Sequence, residues 1–282
     1  PAVKESALWL KSQGFEVDFA PVDEKGFVDV EALGALIRPD TTHVSIMAVN
    51  NEIGSIQPIE AISELLADKP TISFHVDAVQ ALAKIPTEKY LTDRVDFATF
   101  SSHKFHGVRG VGFVYIKSGK RIMPLLTGGG QERAYRSTTE NVAGIAATAK
   151  ALRLSMEKLD IFTSKTGQMK AVIRQALLDY PDIFVFSDEE DFAPHILTFG
   201  IKGVRGEVIV HAFEDYDIFI STTSACSSKA GKPAGTLIAM GVDKDKAQSA
   251  VRLSLDLEND MSQVEQFLTK LKLIYNQTRK VR

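Results

Sequence analysis

The sequence is short of several things, and each shortage rules something out. It contains one cysteine, Cys226, so no disulfide can close within the chain. Such sparse cysteine usage fits a reducing compartment, and a cytoplasmic protein is expected. No apolar run approaches the roughly 18 residues that a membrane-crossing helix requires, so no membrane partner is expected. There is no basic excess: 33 Lys and Arg face 36 Asp and Glu, for a net charge of −3, which argues against direct nucleic-acid binding. The histidines and the lone cysteine show no metal-ligand spacing, so a structural zinc site is rejected and no metal is expected. Internal repeats, low-complexity tracts and a secretory or transit pattern are also missing. Pro1-Ala-Val-Lys-Glu-Ser runs straight into a helical pattern without an initiator methionine, so a piece of a longer polypeptide is expected.

What is present is ordinary globular material: 282 residues, 44% hydrophobic and 24% charged, enough for one large or two modest domains with a real core. Residues 2–13 read as a helix closed by Gly14, and Phe15–Phe19 as a short alternating strand. Asp29 caps a helix from Val30 to Ile37, and Pro58 opens another to about Ala67. Thr42–Val49, Ile72–Val76 and Val95–Phe100 are buried-strand runs. Gly110–Ile116 follows the last of these after a short connection, which makes it an antiparallel neighbour. A glycine-rich loop from Gly128 to Asn141, carrying Arg133 and Arg136, leads into an alanine-rich helix from Val142 to Glu157. Strands alternating with helices predict an α/β layered sheet. After the helix Phe162–Tyr180 the pattern changes to strands at Ile183–Ser187, Ile196–Phe199 and Phe219–Ser221 around a helix at Gly206–Phe213. A loop with Cys226, a helix, a strand at Val251–Leu255 and a last helix at Met261–Tyr275 complete an α+β second domain. The expected division is 1–158 and 159–282.

Chemistry gathers where the apolar runs end. Phe100-Ser-Ser-His-Lys-Phe-His-Gly107 offers Ser101, His103 and Lys104, and Phe74-His-Val-Asp-Ala-Val-Gln80 offers Asp77 and Gln80. Open α/β sheets hold ligands at the carboxyl ends of their strands. A lysine after one strand and an aspartate after an earlier one are what a pyridoxal 5′-phosphate enzyme uses: the amine binds the cofactor's carbonyl and the carboxylate keeps the pyridine nitrogen protonated. A lone lysine is more often a solvated surface charge, and an aspartate at a strand end is as often a turn or cap residue. Asn51 and Gln80 are amides suited to donate to a ring oxygen, with turn chemistry as the alternative. Ser101 and His103 can donate to a phosphate, and His103 could equally be a satisfied core histidine. Cys226 lies among small, polar and glycine residues with Lys229 and Lys232 nearby, a setting as compatible with a nucleophilic thiol as with an inert one. Arg252 interrupts the apolar run Ala250–Leu255, so it needs a partner, either a substrate carboxylate held bidentately or an internal acid.

Seven segments in order then resemble a known family: Asn50-Asn-Glu-Ile-Gly, His75-Val-Asp-Ala-Val-Gln, Ser101-Ser-His-Lys, Gly128-Gly-Gly-Gln-Glu-Arg, Arg136-Ser-Thr-Thr-Glu-Asn, Ser224-Ala-Cys-Ser-Ser and Val251-Arg-Leu-Ser-Leu. Over about 1–260 the chain resembles the cysteine desulfurases of the NifS/IscS type, within the class V aminotransferases of fold-type-I pyridoxal-phosphate enzymes. The resemblance implies a three-layer mixed sheet in a large domain that is incomplete at its N-terminus, with a smaller α+β C-terminal domain. It implies Lys104 as the cofactor-binding lysine, Asp77 on the pyridine nitrogen, and Gln80 and Asn51 toward the ring oxygen and substrate. It places Ser101 and His103 on the phosphate, and Thr139 on the phosphate of a partner subunit in a homodimer. Arg252 would hold the carboxylate of L-cysteine. Cys226 would take its sulfur as a persulfide and pass it to acceptor proteins, of the scaffold type in iron–sulfur assembly or of the tRNA-thiolation type. Family members carry about a hundred further residues upstream, with a phosphate-binding turn and a ring-stacking histidine. Thr138 stands where the family usually has glycine, and Asp256 likewise. The alternatives are another enzyme of the same group, an aminotransferase or selenocysteine lyase, and a fragment unable to hold the cofactor by itself.

Overall fold

The structure, a computed structural model, describes residues 2–223 and 235–281. Two compact units emerge: one from Thr41–Ala48 with Ile59–Leu159, the other from Pro1–Asp40, Val49–Pro58 and Asp160–Arg282. The N-terminal residues thus group with the C-terminal half.

The chain begins with α1 (Ala2–Ser12) and α2 (Val30–Leu36). Gly14 follows α1 at φ +95°, and Asp29 Oδ1 accepts from Ala32 N at 2.9 Å, the cap expected from sequence. The expected strand at Phe15–Phe19 does not form. Both phenylalanines are exposed, and without a neighbouring strand their alternation has nothing to pair with.

The first unit is built on β1 (His43–Met47), α3 (Ile59–Leu65), β2 (Ser73–Asp77), β3 (Phe97–Ser101), β4 (Gly112–Ile116) and α4 (Val142–Met156). The sheet order is β1-β2-β3-β4. The first three strands run parallel and β4 returns antiparallel, with Phe97 opposite Ile116 and Ser101 opposite Gly112. The α/β fold with a mixed sheet is therefore present. One face of β1, β2 and β3 is buried through Val44, Ile46, Phe74, Val76, Ala98 and Phe100. The other presents Ser45, His75, Asp77, Thr99 and Ser101, all half-buried. At the amino-terminal edge the buried Asp96 carboxylate accepts from Phe74 N at 2.9 Å and meets Arg94 at 2.9 Å and Lys120 at 3.2 Å. Burial pushes its pKa up, but the hydrogen bonds from Phe74, Arg94 and Lys120 outweigh it and hold the group below the usual carboxylate range.

The second unit continues with α5 (Leu159–Leu178), β5 (Ile183–Val185), β6 (Ile196–Ile201), α6 (Gly206–Glu214), β7 (Ser221–Thr222), α7 (Gly235–Ala239), α8 (Lys244–Gln248), β8 (Ala250–Ser254) and α9 (Met261–Val281). The sheet is antiparallel in the order β5-β6-β8-β7. Leu197, Phe199 and Ile201 of β6 and Val251 and Leu253 of β8 meet Met169 and Ile173 of α5, Ile209 and Phe213 of α6, and Phe267 and Leu271 of α9. Some elements differ from the sequence expectation. Phe219 is 79% exposed and β7 starts only at Ser221, the helix after residue 234 is two short ones, and α9 extends past Tyr275.

Candidate active site

The carboxyl ends of β2 and β3 lie side by side because the two strands are parallel and in register, Asp77 opposite Thr99. Asp77 is the last residue of β2 and is half-buried. Its Oδ1 accepts from Val79 N at 3.1 Å, which turns the chain and places Gln80, also half-buried, just beyond the strand end. β3 ends at Ser101 and passes into a 3₁₀ turn, Ser102–Phe105, that carries His103 and Lys104. His103 is exposed and Lys104 half-buried. His106 closes the turn at φ +64°.

The turn is anchored from beneath. Ser102 is fully buried, and Thr148 Oγ1 of α4 lies 2.9 Å from its hydroxyl and 2.7 Å from Gly144 O. Ser155 donates to Phe105 O at 3.1 Å. A Cβ on Gly107 would come within 1.9 Å of Ser102 Oγ, so only glycine lets the chain leave the turn along this path. Sequence reading missed Ser102 and Thr148. Their one sequence signal is a hydroxyl in a small-residue turn and another in an alanine-rich helix.

His75 stands on the accessible face of β2 with Nδ1 at 2.7 Å from Ser45 Oγ and Nε2 at 3.1 Å from Thr99 Oγ1. Its ring stacks at 6.2 Å on His43. Burial and then the neighbouring His43 push its pKa down, which favours a neutral ring at pH 7. Thr139 is exposed, two residues before Asn141, whose Oδ1 caps α4 by accepting from Gly144 N at 3.0 Å. In the preceding glycine-rich loop Glu132, Arg133 and Ala134 all adopt left-handed backbone, φ +50° to +66°, a strained turn for residues with side chains.

Asn51 and Arg252 belong to the other unit and come together there. Arg252 Nη1 donates to Asn51 O at 2.7 Å. The side chain of Asn50 caps its own turn, accepting from Glu52 N at 2.8 Å and Ile53 N at 3.1 Å. Cys226 lies outside the described residues. Among the described residues no group of three or more His, Cys, Asp or Glu is placed to hold a metal, and no helix is long and apolar enough to cross a membrane.

At the edge formed by β2 and β3, a carboxylate, an ammonium, a hydroxyl and an imidazole stand on adjoining strand ends. That donor set can pair with a protonated ring nitrogen, a carbonyl carbon and a phosphate, the three polar features of a pyridoxal-phosphate molecule.

The sequence pattern of the family described as Aminotransferase class-V matches residues 3–267. A NifS/IcsS protein homolog of Lactobacillus delbrueckii subsp. bulgaricus is 50% identical over 273 residues, 96% of this chain and 71% of that protein. The Cysteine desulfurase IscS of Clostridium botulinum is 37% identical over 284 residues, 99% of this chain and 71% of that protein. Among solved structures, a NifS-like protein superimposes with a TM-score of 0.89 at 37% identity, covering 98% of this chain and 72% of that one.

Proposed function

Because this chain belongs to the class-V aminotransferase family, we propose that it works as a pyridoxal-phosphate-dependent cysteine desulfurase that converts L-cysteine to L-alanine and retains the sulfur on Cys226. The observation that carries the reading is the register of β2 against β3, which sets Asp77 and the turn holding Lys104 at one edge of the parallel strands. The donor set there suits the cofactor of this family. When bound, pyridoxal phosphate supplies an electron sink that acidifies the substrate's α-carbon.

The chain's own residues have separable tasks in this proposal. Lys104 Nζ would hold the cofactor by its carbonyl carbon, and its amine would be the group that moves the substrate's α-proton. The Asp77 carboxylate would pair with the ring nitrogen, and the hydrogen bond that it accepts from Val79 N–H holds it in place. Ser101 Oγ and the imidazole of His103 donate to the phosphate, and Gln80 and Asn51 serve the ring oxygen and the substrate side. Thr139 reaches a phosphate across a homodimer. Arg252 holds the carboxylate of cysteine. The Cys226 thiolate attacks the substrate's sulfur: the carbon–sulfur bond breaks, a sulfur–sulfur bond forms, and the carbon takes up a proton to leave as alanine. Cofactor work thus falls to 1–158 and sulfur acceptance to 159–282. In this reading the persulfide is handed to a cytoplasmic acceptor protein, for iron–sulfur assembly or tRNA thiolation.

The test is alanine and persulfide formation from L-cysteine by the holoenzyme and by Cys226→Ser. A desulfurase loses persulfide and turnover in the variant while keeping the cofactor's absorbance. Undiminished turnover by Cys226→Ser would assign the chain to another reaction of its family.

A further inference from the structure

The Asn50–Gly54 turn is held by an unusual arrangement of donors. Arg252 Nη1 donates to Asn51 O at 2.7 Å, Thr198 Oγ1 to Glu52 O at 2.5 Å, Ser187 Oγ to Ile53 O at 2.6 Å and Ala193 N to Gly54 O at 2.7 Å. Consecutive carbonyls of one turn are thus tied by separate donors from distant parts of the chain. Thr198 and Arg252 are cross-strand partners on β6 and β8, so their side chains leave the same face of the sheet and reach adjacent peptide groups. Thr198 is fully buried, and its own N–H donates to Ser187 Oγ at 2.9 Å, which ties the second of these hydroxyl-bearing residues to the same point of β6. Gly54 sits at φ +88° against β6, where a Cβ would stand 3.0 Å from Ile196 Cβ, so the turn is pressed onto the strand as well as bonded to it.

We propose that Thr198 is a positioning residue for the substrate carboxylate: its hydroxyl fixes the Glu52 carbonyl beside the Asn51 carbonyl that Arg252 grips, and so sets the plane of the Arg252 guanidinium. The inference rests on the reading of Arg252 as the carboxylate-holding residue. An arginine side chain has many rotamers, but its fork is rigid, so pinning one amino group to a fixed carbonyl orients the whole fork. The Asn51 and Glu52 carbonyls belong to consecutive peptide groups. Releasing the second lets the first rotate, and Arg252 loses its fixed point.

The experiment uses the holoenzyme with Thr198→Val, which keeps the shape and removes the donor, and Thr198→Ser, which keeps the donor. KM and kcat for L-cysteine are measured together with amide hydrogen exchange at Ile53 and Gly54. Thr198→Val should raise KM about tenfold with kcat within about twofold, and speed exchange in the turn about fivefold, as expected for one lost buried hydrogen bond. Thr198→Ser should stay near wild type. In an Arg252→Ala background, Thr198→Val should add nothing further to KM. An unchanged KM or unchanged exchange in Thr198→Val, with KM raised in Arg252→Ala, overturns the proposal and leaves the role of Arg252 standing. An unchanged KM in Arg252→Ala removes the reading underneath and the proposal with it. Should Thr198→Val fail to fold, Thr198→Cys, similar in size and a weak donor, carries the same comparison.

Discussion

β4 and β6 are both short, apolar strands, Gly112-Phe-Val-Tyr-Ile116 and Ile196-Leu-Thr-Phe-Gly-Ile201, and they end in opposite environments. Every residue of β6 is buried, while Phe113, Val114 and Tyr115 of β4 are 39%, 44% and 37% exposed. β6 pairs on both sides, with β5 and β8, whereas among the described residues β4 is paired with β3 alone. Burial therefore follows position in the sheet, not apolarity, and the tightly bonded candidate site residues, Asn51 and Arg252, are those attached to the strand buried on both faces.

The largest expected effect is on β6. Phe199→Ala removes a fully buried ring that meets Phe267 edge-on at 6.2 Å, and should cost about 3–5 kcal/mol, read as a fall in the urea midpoint. A loss below about 1 kcal/mol would break the contrast. Lys170 comes next. It is 4% exposed, donates to Ala193 O at 3.0 Å, and burial followed by the charge of Arg174 pushes its pKa from 10.5 down to about 8. The folded chain then binds fewer protons than the unfolded chain between about pH 8 and 10.5. Stability should rise across that window by roughly 3 kcal/mol relative to Lys170→Met, and the penalty should be fully present below pH 8. Denaturation of both proteins at pH 7 and pH 10 measures it. Thr148→Val, which strips the Ser102 turn of its buried partner, should cost about 1–2 kcal/mol and weaken cofactor retention. A dialysis titration of pyridoxal phosphate reads the second effect. Smallest of all, Val114→Thr on β4 should change stability by no more than about 0.5 kcal/mol.

Local signals were legible in the sequence wherever the physics is local. The Asp29 cap, the Pro58 helix start, the strand ends at Asp77 and Ser101, and the antiparallel return of β4 all follow from residues within a few positions of one another. The Phe15–Phe19 alternation misled because a strand exists only with a partner, and Phe219 misled for a related reason: β7 pairs with β8 only from Ser221. The ties to the carbonyls of residues 51–54 were invisible because their donors lie 134 to 201 positions away. For Arg252 the sequence demanded a partner and left it open. The structure shows one partner, the backbone carbonyl of Asn51.

The most direct measurement takes the purified protein with pyridoxal phosphate, reduces it with borohydride and maps the modified peptide by mass. The account predicts a visible absorbance that borohydride abolishes and a single pyridoxyl group on Lys104, with both lost in Lys104→Ala. A pyridoxyl group on any other lysine, or undiminished labelling of Lys104→Ala, would contradict it.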